Sequence, residues 1–312
     1  MSQIRIGIYK DTLANRRGAD VAVLNLADGL RERGYEAEVF EKGALAEKIQ
    51  ANWDVMIATG TNELLDLAAI FPKKFPWPVV MQFHTPPNRQ FKWKRFVRNW
   101  RIRRALKRTS VIQVLREEFV PQVAKYGAQV AVIGNWSKYE NEPPPPAPEK
   151  TIIYPAAWNK DKNQQLLVKA FELARKNFPD WTLELYGNGK IPEKLPDGVK
   201  AMGYCDLREA FRRCAFLAFP SLDEGFPLTV TDAAVFGKPA VLVKDWIGTC
   251  ANGGGLVVPN DPKEFALGLK LLMGNAALVA TMGAEARKFC RQKYSRAEIL
   301  TRWEELLKEI GR

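Results

Sequence analysis

Histidine is almost missing from these 312 residues: His84 is the single one. Cysteine is sparse and one-sided. Cys205, Cys214, Cys250 and Cys290 all lie in the second half, at spacings that suit neither a zinc site nor a disulfide framework, and they read as reduced structural thiols. No apolar run approaches the roughly 18 residues of a membrane-spanning helix, and the amino terminus has no signal-peptide core, so the expected location is the cytoplasm. No nucleic-acid-binding module is recognisable, and no nucleic acid is expected as a partner. One further absence is local. Between Arg89 and Arg108 there is no acid, yet ten Lys or Arg, which account for most of the net charge of +12.

What is present describes a globular chain of 46% hydrophobic and 26% charged residues, long enough for two domains of about 150 residues each. Short apolar runs at 4–9, 36–40, 54–59, 79–83, 111–115 and 129–133 read as strands separated by helical stretches, the first helix at 21–33. That alternation predicts a parallel, doubly wound α/β sheet with ligands beyond the carboxyl ends of its strands. His84 stands at such an end. Four consecutive prolines from Pro143 make residues 141–150 a stiff linker between domains 1–140 and 151–295. The second domain repeats the pattern, with strands at 151–155, 183–186, 199–204, 215–219, 240–244 and 254–258 and helices at 164–176, 230–236, 261–273, 284–292 and 296–310.

Within the basic segment Trp93, Phe96, Val97 and Trp100 form a helical stripe with Lys and Arg on the remaining face. A cationic helix with an aromatic stripe suits an anionic membrane surface, or an anionic acceptor. The alternative is that the stripe packs on the sheet and the charges are merely solvated.

The stretch Pro220-Ser221-Leu222-Asp223-Glu224-Gly225-Phe226-Pro227-Leu228-Thr229-Val230-Thr231-Asp232 runs from a buried strand through an acidic loop into a helix. A helix amino terminus seats a diphosphate, and a carboxylate beside it takes sugar hydroxyls. The stretch resembles the Glu-x7-Glu signature of the retaining GT-B glycosyltransferases of family 4, matching at Pro220, Ser221, Glu224, Gly225, Phe226, Leu228 and Ala233. Asp232 stands where that family has Glu. The resemblance implies two Rossmann-like doubly wound domains facing across a cleft, with helix 296–312 crossing back to the first domain. It implies donor contacts at Gly225, Phe226, Pro227 and Leu228, sugar hydroxyls on Glu224 and the ribose on Asp232.

Other family segments have counterparts. Gly18-Ala19-Asp20 looks like the remnant of the first glycine loop, with Arg17 in place of its first Gly. Lys162 matches the Lys of the G-R-x-x-x-x-K run that neutralises the donor diphosphate, with Lys160 a second candidate. Ala157 stands where the Arg belongs; Lys160 or a first-domain residue then compensates, or activity is low. Gly187-Asn188 resembles the G-x-G turn, and Tyr204 and Cys205 follow the segment that neighbours the base. In similar enzymes a His placed like His84 faces the donor sugar.

The resemblance therefore implies transfer of a sugar, with retention, from a UDP- or GDP-linked donor to a glycan or lipid-linked acceptor in surface polysaccharide or lipopolysaccharide synthesis. Lys162 and Glu224 would stand on one wall of the cleft and His84 on the other. No Asp-x-Asp pair occurs in the sequence, so no metal and no cofactor beyond the nucleotide sugar are expected. Ala157 and Asp232 keep open a non-catalytic nucleotide-sugar-binding or membrane-associated protein on the same fold.

Overall fold

The computed structural model describes residues 4–13, 18–91, 93–143 and 145–311. Arg16 and Arg17 of the first loop, Lys92 of the basic segment and Pro144 of the linker lie outside the described residues. Apolar runs such as Val55–Ala58 and Phe216–Phe219 are buried throughout, which is what strands covered on both faces by helices require. The chain divides into two units, 1–135 with 296–312 and 136–295.

In the first unit β1 (Arg5–Tyr9), β2 (Glu36–Phe40), β3 (Val55–Ala58), β4 (Val79–Gln82), β5 (Val111–Val114) and β6 (Gln129–Val132) form one parallel sheet in the order β2-β1-β3-β4-β5-β6. In the second, β7 (Thr151–Pro155), β8 (Thr182–Tyr186), β9 (Val199–Gly203), β10 (Phe216–Phe219), β11 (Ala240–Leu242) and β12 (Gly255–Val257) are parallel in the order β12-β11-β10-β7-β8-β9. Strand order reverses between β1 and β3 in one sheet and between β7 and β10 in the other. Those reversal points are where side chains from two neighbouring loops converge on an open crevice.

Aromatic packing fixes each core. Tyr9, Phe40 and Trp53 stack in sequence in the first unit. Phe211, Phe236 and Tyr139 pack ring on ring in the second. The helix Arg296–Ile310 buries Leu300, Trp303 and Leu307 in the first unit, and a Cβ added to Gly29 would lie 2.7 Å from Leu300 Cδ2. Glycine at position 29 is therefore what lets the last helix seat.

Three helices differ from the sequence expectation. Gly18–Glu32 starts three residues early, so Gly18 opens the helix rather than sitting in a loop, and Asp20 becomes its first-turn acid. Leu228–Val235 likewise begins two residues early, which puts Asp232 just over one turn in. Ala276–Lys293 runs through Gly283, which the sequence suggests as a break. A Cβ there would meet Gly237 O at 2.0 Å, so the glycine serves close packing.

Ser137 and Tyr139, expected in the first domain, and Glu149, at the end of the expected linker, are held in the second unit. Ser137 Oγ donates to Asp232 Oδ1 at 2.6 Å, Tyr139 OH donates to Asp206 Oδ1 at 3.0 Å, and Glu149 pairs with Arg213. The helix Phe96–Leu106 turns Asn99, Ile102, Ala105 and Leu106 inward and leaves the stripe of Trp93, Phe96, Val97 and Trp100 in solvent.

Candidate functional site

The loop after β7 is built to present one lysine. Asn159 caps the single turn Lys160–Lys162, its side chain accepting from Asp161 N at 3.0 Å and Lys162 N at 3.2 Å. Tyr154 OH donates to Lys162 O at 2.8 Å from below. Across the reversal point Leu222 N donates to Asp161 O at 2.8 Å, tying the loop after β10 to the loop after β7. Asn163 adopts φ 56°, the left-handed region, and its side-chain amide donates to Asn260 Oδ1 at 2.8 Å. With both backbones pinned, Lys162 Nζ meets Glu224 Oε1 at 2.5 Å. The two side chains are 25% and 11% exposed, so the pair is screened less than a surface bridge yet open to a ligand on one side. Burial, with the Glu224 charge beside it, pushes the Tyr154 phenol well above its ordinary value.

The remaining second-unit candidates line the carboxyl ends of four adjacent strands. Gly187 and Gly189 have φ of 119° and 141°. A Cβ on either would lie 2.6 Å from Ala156 O or 2.5 Å from Trp158 O, so this turn must be glycine to lie on the 156–158 backbone. Asn188 O accepts from Trp158 N at 2.8 Å, completing that contact. Ala157 and Lys160 are exposed, as are Tyr204 and Cys205 just past β9. Gly225 is partly buried, Pro227 is buried, Leu228 opens its helix, and Phe226 is buried edge-on against Tyr294. Asp232 is hydrogen-bonded by Ser137 rather than by any other candidate, and burial lifts its carboxyl up to about 7, with Ser137 and Lys138 opposing.

Sequence reasoning overlooked Tyr154, Asn159 and Asn163, which hold the loop that carries Lys162. The Asn159-x-x-Lys162-Asn163 spacing, a cap followed by a left-handed residue, is the signal that would have found two of them.

The first unit carries its own cluster at its reversal point. Lys10, the residue after β1, reaches Glu63 Oε1 at 3.2 Å and Asp20 Oδ1 at 3.8 Å, all three largely buried. Glu63 also accepts from Asp11 N at 3.0 Å. His84 follows β4 as expected, and its buried Nε2 has no hydrogen-bond partner among the described residues. Burial, with the Lys10 charge adding, lowers the ring to about 4, so at neutral pH it is an uncharged imidazole. Gly18 is exposed at the start of its helix. Each unit thus sets a Lys after its first strand against a Glu from across its reversal point.

Residues 149–275 match the family described as glycosyl transferases group 1. An exopolysaccharide phosphotransferase of Streptomyces coelicolor is 29% identical over 177 residues, covering 52% of this chain and 19% of the relative. An uncharacterized glycosyltransferase of Haemophilus influenzae is 29% identical over 174 residues, 51% of this chain and 49% of the relative. This chain therefore spans about a fifth of the first relative's length and half of the second's. The crystal structure of Anabaena HepE in complex with UDP-glucose superposes with a TM-score of 0.79 at 18% identity, over 98% of this chain and 100% of that one. The fold is GT-B, with a doubly wound parallel sheet in each unit.

Proposed function

Taking the second unit as a group 1 glycosyl transferase domain, we propose that this chain moves a sugar from a nucleotide-diphosphate donor to a glycan or lipid-linked acceptor. The observation that supports it is the Lys162–Glu224 pair at the reversal point of that domain's sheet. When the glycosidic bond to a diphosphate breaks, negative charge collects on the departing phosphate. Lys162 is a fixed cation for that charge, held by Tyr154, Asn159 and Leu222 before substrate arrives, so little reorganisation is needed in the transition state. Glu224 both fixes the ammonium and offers an acceptor to donor sugar hydroxyls.

Finer features of the reading are retention at the anomeric carbon, a UDP- or GDP-linked donor, and charge neutralisation without a metal. His84, held uncharged, is the first unit's candidate hydrogen-bond partner for a sugar hydroxyl. The Streptomyces relative is an exopolysaccharide phosphotransferase, which supports a surface polysaccharide product; a lipopolysaccharide product and synthesis in the cytoplasm at the inner membrane face are further parts of the proposal.

A second reading, a nucleotide-sugar-binding protein without transfer, is favoured by Ala157 in place of an arginine and by Asp232 being engaged by Ser137. The deciding experiment incubates the chain with UDP- and GDP-sugars and lipid-linked or oligosaccharide acceptors while following nucleoside diphosphate release and thermal stability. Release with an acceptor supports transfer. Stabilisation by a donor with no release on any acceptor supports the second reading, and neither effect overturns both.

A further inference from the structure

The outward face of the helix Phe96–Leu106, with Trp93 just before it, is solvent-exposed. Trp93, Phe96, Val97 and Trp100 are 75, 74, 74 and 59% exposed, one contiguous apolar tip on a strongly charged element. Apolar surface of this kind, rimmed by charge, marks an interaction site. One turn further along the same face lies a recess of 530 Å³ lined by Trp100, Arg103, Arg104, Lys107, Lys125 and Tyr126. Its four cations have no carboxylate partner among the described residues. Arg104 instead lies 5.5 Å over the Trp100 ring and Arg103 lies 5.6 Å over Phe91. Arg98 and Arg108, by contrast, are engaged internally: Arg98 donates to Gln90 O, Thr61 and Asn62, and Arg108 to Phe71 O and Pro72 O. Among the described basic residues of this segment, Arg98 and Arg108 thus anchor the unit, whereas Arg103, Arg104 and Lys107 line the outward recess.

We propose that this face docks the first unit on an anionic lipid bilayer, its four apolar side chains entering the headgroup layer and the recess receiving a headgroup phosphate. A dissolved polyanion would use the cations and leave the apolar tip wet; a bilayer interface rewards both together. The absence of any acid between Arg89 and Arg108 removes the repulsion such a surface would otherwise meet. The surface stands independently of the transfer reading, because none of its residues belongs to the site around Lys162.

The test is co-sedimentation of the full chain with phosphatidylcholine vesicles and with vesicles of equal parts phosphatidylcholine and phosphatidylglycerol. Binding to the mixed vesicles alone is expected. Removing three cations in Arg103→Gln/Arg104→Gln/Lys107→Gln is expected to weaken it about a hundredfold, at roughly one kcal/mol per cation. Trp93→Ser/Phe96→Ser/Trp100→Ser is expected to abolish it, with unfolding midpoints unchanged because all three are solvent-facing. As a second measurement on the unaltered chain, bromine-labelled lipids should quench tryptophan emission, and Trp93→Phe/Trp100→Phe should remove that quenching. The proposal is overturned if the aromatic variant binds as tightly as the parent, or if phosphatidylcholine alone suffices. It also fails if a single-stranded oligonucleotide displaces the protein from vesicles, or if the patch instead seals a dimer that ignores lipid.

Discussion

At the scale of single residues, Lys162 is where chemistry and stability meet. Lys162→Ala is expected to lower the turnover number by about a hundred- to a thousandfold, the usual effect of deleting one group aimed at developing charge. It would also remove the Lys162 ammonium from the partly buried Glu224 carboxylate, a loss of about 1–3 kcal/mol after discounting for partial exposure. Steady-state nucleotide release and urea midpoints on the same preparation check both. Two further residues set opposing pH dependences. His84, at about 4 against an ordinary 6.5, leaves the unfolded chain binding a proton that the folded chain refuses, so stability falls as pH drops through that window. Asp232, at about 7 against 3.8, keeps a proton in the fold that the unfolded chain has lost, so stability falls as pH rises across its window. Asp232→Asn should therefore leave a profile that climbs with pH between about 4 and 6.5, and His84→Phe one that declines toward about 7. A urea series at several pH values would show whether each variant unmasks the other slope.

At the scale of elements, the last helix packs against the first through a close approach at Gly29. Leu300 sits against Gly29, so Leu300→Ala is expected to cost about 2–4 kcal/mol, with the destabilisation confined to the transition of the first unit in calorimetry. Secondary structure was widely legible because parallel strands buried on both faces write themselves as apolar runs: Thr151–Pro155 and Glu36–Phe40 have the bounds the sequence suggests. Helix starts were less so. Leu228–Val235 begins directly after Pro227 with no side-chain cap to announce it. Gly283 looked like an end because a sequence does not say whether a glycine breaks a helix or lets another backbone approach. The orientation of Phe96–Leu106 was illegible for a different reason. Both its faces carry apolar residues, and only the seating of Ile102 and Leu106 against the core decides which one is left outside.

At the scale of the whole molecule, the strand orders explain why the motif residues gather as they do. Lys162 and Glu224 are 62 positions apart and become neighbours because β7 and β10 are adjacent at the reversal. Resemblance to the family motifs nominates each, but the bond that ties their two loops, Leu222 N to Asp161 O, depends on that adjacency and left no local pattern to read. Thiol accessibility offers a separate use. All four cysteines are free; burial pushes Cys214, Cys250 and Cys290 up to about 12, and Cys205 alone is exposed, at the end of β9. A maleimide dye should therefore attach once per native chain, and mass spectrometry showing more than one adduct before unfolding would refute this. The natural polypeptide would then carry a single fluorescent reporter beside the rim proposed to face the nucleotide, with no engineering, and ligand titrations could be followed on a fluorimeter.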